Sequence, residues 1–337
     1  MKKYSLFPIC YGIALTAFTV YLSLDTFVLR DAYQTDIAEM NTSMFENISV
    51  SAETNQSVSE SETNTEAASE SQKHGKKHHQ NDSVSDTTEA VSEQTAQNLS
   101  DLSYQDENIQ INLTEYYENN TKIYVADIQL TSAEYLKTAF AEDTYGKNIT
   151  AKTSAIASAH HAILAINGDY YGAQEKGCVI RNGIVYRNTQ GSNDVLCIYA
   201  DGTLKIISPD EYTAEELAAQ GVWQAFSFGP GLIEDSQITV TQNQEVGKAM
   251  ASNPRTAVGI IEPNHYVFVV SDGRTTESEG LSLYQLAQFM QKLGVTTAYN
   301  LDGGGSSTMC FNGEVINHPT TTGNIKERGV SDIVYIG

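Results

Sequence analysis

The protein has 337 residues and is strongly acidic, with 42 Asp and Glu residues against 20 Lys and Arg and a formal net charge of -22. A chain of this length can bury a sizeable hydrophobic core. Its negative charge argues against a nucleic-acid partner, because such partners are polyanions.

The N-terminus has the pattern of a membrane anchor. Lys2 and Lys3 precede an apolar run from Leu6 to about Leu24, close to the ~20 residues that span a bilayer and longer than the apolar part of a typical signal peptide. We therefore expect residues 1–30 to form a single-pass helix in the plasma membrane, with a cytoplasmic N-terminus and an extracellular C-terminal domain. The alternative, a cleaved signal peptide, is less favoured because no clear cleavage site follows the run.

Residues 31–103 differ sharply in composition from the rest of the chain. They are rich in Ser, Thr, Glu, Asn and Gln, with hardly an aromatic residue after Phe45. Such a segment cannot bury enough apolar surface to offset the entropy of ordering it. We predict a disordered linker that lets a folded domain, residues 104–337, act at a distance from the membrane.

The folded domain is predicted to belong to the α+β class, as a single mixed, β-sheet-rich domain with a few helices. Alternating or continuous apolar segments predict strands near residues 111–113, 122–130, 162–166, 223–228, 256–261 and 265–273. Asn182-Gly183 and Asp201-Gly202 each separate two apolar runs. These dipeptides are strong signals of β-hairpins.

The helical segments have clear boundaries in the sequence. Helices are predicted over residues 150–161, 213–220 and 282–293. Thr213 with Glu216 and Ser282 with Gln285 have the spacing of capping boxes at the N-termini of the last two. The third helix keeps its apolar residues at helical spacing, and Gly294 is placed to end it.

Polar residues follow apolar strands abruptly at four places. The four segments are Asn167–Tyr171, Phe228–Gly231, Ser271–Arg274 and Asn300–Gly303. Strand ends that open at one edge of a sheet often carry the chemistry of a fold, and three of the four place Asp beside Gly. We expect them to form one site, although each segment alone could be an ordinary turn.

The most informative segment is Val295–Met309, VTTAYNLDGGGSSTM. A β-branched strand leads through Asn300 to Asp302, three glycines and two serines. A glycine bend can present backbone N–H groups to an anion, and the absence of a following Lys excludes a Walker loop. We interpret the segment as a site for a negatively charged polyol; the alternative is a tight turn with a solvated Asp302.

Arginine and carboxylate side chains suggest the chemistry. Arg255 offers a planar fork suited to phosphate or carboxylate, although it could also be a surface ion-pair residue. A carboxylate can stabilise a positive anomeric carbon while an arginine holds the departing phosphate. The sequence lacks zinc-ligand spacing and a G-x-S-x-G elbow; it requires no cofactor and leaves a divalent metal open.

We assign catalytic roles to Asp302, Asp272 and Arg255, and substrate-binding roles to Asn167, Asp169, Arg274, Asn300, Gly303, Gly304, Gly305, Ser306 and Ser307.

From about Ser154 to its end, the chain resembles the phosphodiester glycosidase family. The matching motifs are INGDYYG (Ile166–Gly172), RNG (Arg181–Gly183), FGPGL (Phe228–Leu232), NPRTAVG (Asn253–Gly259), SDGR (Ser271–Arg274), NLDGGGSSTM (Asn300–Met309) and RGVSDIV (Arg328–Val334). The resemblance implies hydrolysis of a glycosyl-1-phosphodiester at a site built from the NG, PRTAVG, DGR and LDGGGSS segments. Many relatives have a second Gly in place of Asp169, which favours Asp302 over Asp169 as the catalytic carboxylate.

Together these observations predict a membrane-anchored extracellular hydrolase that cleaves linkages of the GlcNAc-1-phosphate type. Its substrate would be a surface glycan, such as an exopolysaccharide, or a wall polymer. Two alternatives stay open: a non-catalytic surface module that binds anionic glycan, and a metal-dependent phosphodiesterase that cleaves on the phosphorus side.

Overall fold

The computed structural model describes residues 7–35, 37–46, 102–246 and 252–337. Most of the predicted linker therefore lies outside the described residues. The α-helices include α1 (Phe7–Phe27), α2 (Thr153–Ala159), α3 (Ala214–Ala219) and α4 (Leu283–Lys292). The strands are β1 (Asp31–Gln34), β2 (Ser103–Gln105), β3 (Ile109–Glu118), β4 (Thr121–Leu130), β5 (Leu136–Phe140), β6 (Tyr145–Lys147), β7 (Ala151–Lys152), β8 (Leu164–Asn167), β9 (Gly177–Arg181), β10 (Ile184–Thr189), β11 (Val195–Tyr199), β12 (Leu204–Ile207), β13 (Val222–Phe226), β14 (Gly231–Glu234), β15 (Gln237–Ile238), β16 (Arg255–Glu262), β17 (His265–Ser271), β18 (Thr297–Asn300), β19 (Met309–Phe311), β20 (Glu314–Val315), β21 (Thr320–Thr321), β22 (Asn324–Ile325), β23 (Gly329–Val330) and β24 (Asp332–Ile336).

Three sheets organise the domain. The central sheet has eight strands in the order β15-β14-β18-β16-β17-β4-β3-β2. Two five-stranded sheets have the orders β10-β9-β13-β11-β12 and β20-β19-β8-β24-β5, and three strand pairs, β1-β6, β7-β23 and β21-β22, complete the pattern. The β-rich fold with a few helices confirms the predicted class.

The central sheet is buried on both faces, which explains its continuous apolar strands. In β17, Tyr266, Phe268 and Val270 belong to the core shared with the two five-stranded sheets. Val267 and Val269 belong to a second core, beneath α4. Successive residues of a strand point to opposite faces, so a strand between two cores needs apolar residues at every position.

Local signals predicted the hairpins and helix caps correctly. Asn182-Gly183 joins β9 to β10, and Asp201-Gly202 lies between β11 and β12. Both predicted capping boxes are present, at the N-termini of α3 and α4. The helix predicted over residues 150–161 is α2, and it is shorter than predicted. It begins only at Thr153, because the preceding residues form β7, which pairs with β23.

The apolar run near the N-terminus forms the helix α1. Among the residues that the structure describes, no helix combines the length and apolarity needed to cross a membrane. The predicted membrane anchor stays a prediction.

The predicted start of the disordered linker at residue 31 is wrong. β1 pairs with β6, and Phe45 packs edge-on against Trp223 with ring centroids 4.9 Å apart. The Asn41 N–H also donates to the Asn182 carbonyl at 3.0 Å. The average composition of residues 31–103 hid these contacts, because the few apolar side chains of that segment, such as Tyr33 and Phe45, are concentrated at its beginning.

Candidate functional site

Strand register brings two of the four predicted strand ends together, with the start of β16 between them. β16 begins at Arg255, which pairs with Ser271 at the end of β17. On its other side, Ala257 of β16 pairs with Asn300 at the end of β18. Because neighbouring antiparallel strands run in opposite directions, the start of β16 lies between the ends of its two neighbours.

Asn167 and Asn300 attach the other two segments to this edge. The Asn167 side chain donates to the Asp302 carbonyl at 2.7 Å, and Asn300 donates to the Gly229 carbonyl at 2.8 Å. Asn167 also accepts a hydrogen bond from the Thr256 hydroxyl at 2.8 Å. Asn167 and Asn300 were predicted to bind substrate, but both are buried, and their side chains position the loops.

Asp302 is held by Arg328, a residue to which sequence reasoning gave no role. The Arg328 guanidinium donates to Asp302 Oδ2 at 2.9 Å, and the Gly303 N–H donates to Oδ1 at 2.9 Å. Burial raises the pKa of Asp302, while Arg328 opposes that shift. The Arg328 side chain is 41% exposed and that of Asp302 only 13%, so a largely buried carboxylate is paired with a guanidinium that solvent reaches. Only the RGVSDIV motif could have indicated Arg328.

The N–H groups of Gly303, Gly304, Ser306 and Ser307 are bonded within the protein and are not the free amides that were predicted. The Gly304 N–H donates to the Pro254 carbonyl at 2.8 Å, and the N–H groups of Ser306 and Ser307 donate within the bend. Gly304 has a φ of +63°, and a Cβ there would lie 2.8 Å from a terminal nitrogen of Arg274. Glycine at this position therefore allows Arg274 to approach the backbone.

Ser306 and Ser307 are buried as well. The Ser306 hydroxyl accepts a hydrogen bond from Arg328 Nε at 2.9 Å. Gly305 lies against the hairpin formed by β21 and β22, where an added Cβ would be 2.6 Å from the Thr321 hydroxyl. These residues shape the bend, and Ser306 holds Arg328. They were predicted to contact substrate, but Ser306 and Ser307 are buried in this structure.

The two predicted arginines have different surroundings. Arg274 is exposed, and it donates from Nε and Nη2 to Asn253 Oδ1 at 3.2 and 2.8 Å. Arg255 is 3% exposed; it donates to the Leu281 carbonyl at 2.9 Å and forms an ion pair with Glu245. Burial lowers the pKa of Arg255 despite this carboxylate. Of these two arginines, Arg274 is therefore the exposed cation beside the bend, whereas Arg255, the predicted phosphate ligand, is paired with Glu245.

Asp272 lies in a network with His318, which the sequence analysis also missed. Its Oδ1 accepts from the His318 N–H at 2.7 Å and from the Asn317 amide at 3.2 Å. Its Oδ2 lies 3.1 Å from His318 Nδ1 and 3.3 Å from the Tyr124 hydroxyl. Asp272 is 5% exposed at its side chain, whereas the imidazole is 53% exposed. No local pattern signals His318, because its partner is distant in the sequence.

Asp169 is a buried structural residue, contrary to the predicted substrate contact. Asp169 Oδ1 accepts from Arg181 Nη2 at 2.9 Å, and Oδ2 accepts from the Ser227 N–H at 2.9 Å. Arg181 also donates to Asp332 at 2.8 Å. All three side chains are at most 1% exposed, so Asp169 cannot reach a ligand in solvent.

Metal ligands do not cluster in the described residues. Across residues 7–35, 37–46, 102–246 and 252–337, no group of three or more His, Cys, Asp and Glu side chains is arranged to hold a metal ion. Arg274 and Arg328 lie beside the bend together with the Asp302 carboxylate. They can bind an anion beside a carboxylate.

Comparison with known proteins links the chain to one family. Residues 160–337, slightly more than half of the chain, match the family model of the phosphodiester glycosidases. The mouse N-acetylglucosamine-1-phosphodiester alpha-N-acetylglucosaminidase is 28% identical over 173 residues, which cover 47% of this chain and 33% of the mouse protein. The human enzyme of the same name is 37% identical over 93 residues, covering 26% of this chain and 18% of the human protein.

A bacterial relative and a solved structure show similar matches. The Bacillus subtilis SPbeta prophage-derived protein YomE is 27% identical over 169 residues, 48% of this chain and 26% of YomE. The zebrafish N-acetylglucosamine-1-phosphodiester alpha-N-acetylglucosaminidase catalytic domain, auto-inhibited by its pro-peptide, has a TM-score of 0.54 at 21% identity, covering 68% of this chain and 82% of that domain. The matches to the mouse, human and bacterial relatives span a third or less of the length of those proteins.

Proposed function

Because the chain belongs to the phosphodiester glycosidase family, we propose that it hydrolyses glycosyl-1-phosphodiesters, releasing a free sugar and an intact phosphomonoester. The observation that carries this proposal is the pairing of Asp302 with the half-exposed Arg328 at a bend that Arg274 also approaches. A carboxylate beside two cations matches the charge distribution of the reaction. Positive charge develops at the anomeric carbon, while negative charge accumulates on the departing phosphate.

Each charged group has a role in this proposal. The Asp302 carboxylate stabilises the positive anomeric carbon, since burial makes its field stronger than it would be in water. Arg274 and Arg328 hold the phosphate, and a planar guanidinium suits two phosphate oxygens. Arg255 contributes to phosphate binding only if Glu245 moves away from it, so we assign it a supporting role.

The proposed substrate is a polymer with sugar-1-phosphate linkages, such as a surface glycan or wall polymer. GlcNAc is the sugar we propose, since the names of the mouse and human relatives specify N-acetylglucosamine-1-phosphodiesters. A groove of about 420 Å³ lies beside the site, lined by Asn193, Phe228, Pro230 and Glu245 among others. Its open shape is suited to a chain that continues beyond the reacting bond.

We further propose that the domain lies outside the cell, attached to the plasma membrane through its N-terminal helix. Lys2 and Lys3 favour a cytoplasmic N-terminus, and the apolar side chains of Tyr11, Phe18 and Leu22 on α1 are exposed. Protease added to intact cells should then release a fragment that ends at Gly337. Protection of that fragment would contradict this orientation.

Product analysis in heavy-oxygen water tests the reaction. The full-length protein is incubated with the methyl phosphodiester of α-GlcNAc, and the products are identified by mass spectrometry. Free GlcNAc carrying the heavy oxygen, together with unlabelled methyl phosphate, supports the glycosidase, because the bond to carbon has been cleaved. GlcNAc-1-phosphate supports the phosphodiesterase. Binding without turnover favours a glycan-binding module.

A further inference from the structure

We propose that His318 is the general base of this site, taking a proton from the water that attacks the anomeric carbon. The proposal rests on the proposed function and adds a residue to its chemistry. His318 lies outside the strand ends and the glycine bend from which the site was first predicted. Three features of its surroundings carry the inference: a buried carboxylate partner, an exposed ring, and attachment to the loop that holds Asp302.

Asp272 fixes the imidazole from the inside. It binds the backbone N–H of His318 at 2.7 Å through Oδ1 and lies 3.1 Å from Nδ1 through Oδ2. An ionised carboxylate at this distance favours the tautomer with the proton on Nδ1. The lone pair is then on Nε2, where it can accept a proton.

Tyr124 strengthens this arrangement from β4. Its hydroxyl lies 3.3 Å from Asp272 Oδ2 and 3.2 Å from His318 Nδ1. Burial and the Asp272 charge raise the pKa of Tyr124, so the phenol stays protonated and donates to the carboxylate. Asp272, at the end of β17, and Tyr124 are thus the titratable groups recorded in contact with the ring.

Asn317 attaches this network to the glycine bend. Its amide nitrogen donates to Asp272 Oδ1 at 3.2 Å and to the Ser307 carbonyl at 3.1 Å, while its oxygen accepts from the Met309 N–H at 2.9 Å. Ser307 follows Ser306, which binds Arg328 beside Asp302. His318 is therefore connected through hydrogen bonds to the glycine bend that carries the proposed catalytic carboxylate.

Other histidine–carboxylate pairs in the described residues lack these features. His160 lies 2.9 Å from Asp143, but that carboxylate is 70% exposed. His265 lies 3.0 Å from Asp127, whose side chain is 42% exposed. Exposed ion pairs of this kind contribute little to stability. The His318 pair has the opposite arrangement, with a buried carboxylate and an exposed imidazole.

The proton transfer balances within the hydrolysis. The water oxygen bonds to the anomeric carbon as the bond from that carbon to the phosphate oxygen breaks, and the electron pair of that bond leaves with the phosphate. One water proton moves to His318 Nε2, and the other stays on the new sugar hydroxyl. The buried Asp272 carboxylate stabilises the imidazolium until it returns its proton to solvent.

The test is the pH dependence of kcat/KM for His318→Gln in the full-length protein, with the GlcNAc methyl phosphodiester as substrate. The wild-type rate should rise as the imidazole loses its proton, giving an acidic limb in the profile. His318→Gln should lose on the order of 10²–10⁴ in kcat and lose that limb, and added imidazole should restore part of the rate. His160→Gln is the matched control and should leave rate and profile unchanged.

The outcomes separate this inference from the proposed function. Turnover by the wild type with an unchanged acidic limb and rate in His318→Gln overturns the His318 assignment alone. A wild type without turnover overturns the proposed function and this assignment with it. Equal melting temperatures of wild type and variant exclude misfolding as the cause, and a second variant, His318→Asn, should behave as His318→Gln does.

Discussion

Two carboxylate–guanidinium pairs show how burial separates structure from chemistry at the residue scale. Asp169 and Arg181 are at most 1% exposed, and they are bound by the Ser227 N–H and the Ala225 carbonyl, respectively. Asp302 has the same type of partner, but Arg328 is 41% exposed. A fully buried ion pair is costly to break and connects the elements of the core. A pair with one exposed partner can contact a ligand.

Replacing Asp302 by Asn tests its electrostatic role. The amide keeps the shape and removes the charge, so we expect kcat to fall on the order of 10²–10⁴-fold while substrate still binds. Asp201→Asn, in the turn between β11 and β12, serves as the control and should have a normal rate. Near-normal kcat in folded Asp302→Asn would move the carboxylate role to Asp272.

Arg274→Lys tests phosphate binding. Lysine keeps the charge but loses the planar fork, so turnover of phosphodiesters should fall on the order of 10²-fold. An aryl glycoside has no phosphate and should be much less affected. The rates for both substrates are measured with the same enzyme preparation, so that the aryl glycoside serves as the control for the phosphodiester. An equal loss for both would show that Arg274 does not act on the phosphate.

The buried Asp332 makes stability depend on pH. Burial raises its pKa from 3.8 to about 7, although Arg181 opposes the shift. The folded protein therefore keeps a proton that the unfolded chain has released, and stability falls as pH rises from about 4 to about 7, by up to about 1.4 kcal/mol per pH unit. Urea unfolding at several pH values should show this slope, and Asp332→Asn should reduce it. An unchanged slope would assign the dependence to other groups.

At the scale of elements, α4 determines how the chain enters the site. Its apolar residues Leu286, Phe289 and Met290 are buried on the central sheet, and the chain continues directly into β18. The Ser282 hydroxyl accepts the Gln285 N–H, and the Gln285 side chain accepts the Ser282 N–H at 2.9 Å. This capping box fixes where the helix begins, and so where β18 and the glycine bend begin.

Ser282→Ala removes one half of that box. We expect a loss of about 1 kcal/mol in the free energy of unfolding, measured by urea denaturation. Thr276→Ala changes an exposed hydroxyl in the preceding loop and should be close to neutral. Equal stabilities of the two variants would mean that the cap contributes nothing beyond local geometry.

At the scale of the whole molecule, the segment before the linker is part of the folded domain. β1 pairs with β6, and the ring of Phe45 packs edge-on against Trp223. The same polar composition continues afterwards through residues outside the described ranges. We therefore expect the boundary between the folded domain and the linker to lie after residue 46.

Two truncations test that boundary. A chain starting at residue 47 should melt several degrees below a chain starting at residue 28, because the aromatic pair alone contributes about 0.5–1.5 kcal/mol and each kcal/mol shifts Tm by about 2–4 °C. Deleting residues 52–98 from the full chain should leave Tm within error. A fall after that deletion would place ordered contacts within the linker.

The hairpins at Asn182-Gly183 and Asp201-Gly202 and the capping boxes at Ser282 and Thr213 could all be predicted from the sequence. Each depends on residues at most a few positions apart, so the local pattern contains the whole interaction. The positions of Asp302 and Asp272 at strand ends were predicted for the same reason. Their partners Arg328 and His318, the burial of Asp169 and Arg255, and the docking of Phe45 join residues far apart in the chain. Those contacts depend on strand register and on how the sheets pack, and only the tertiary structure decides them.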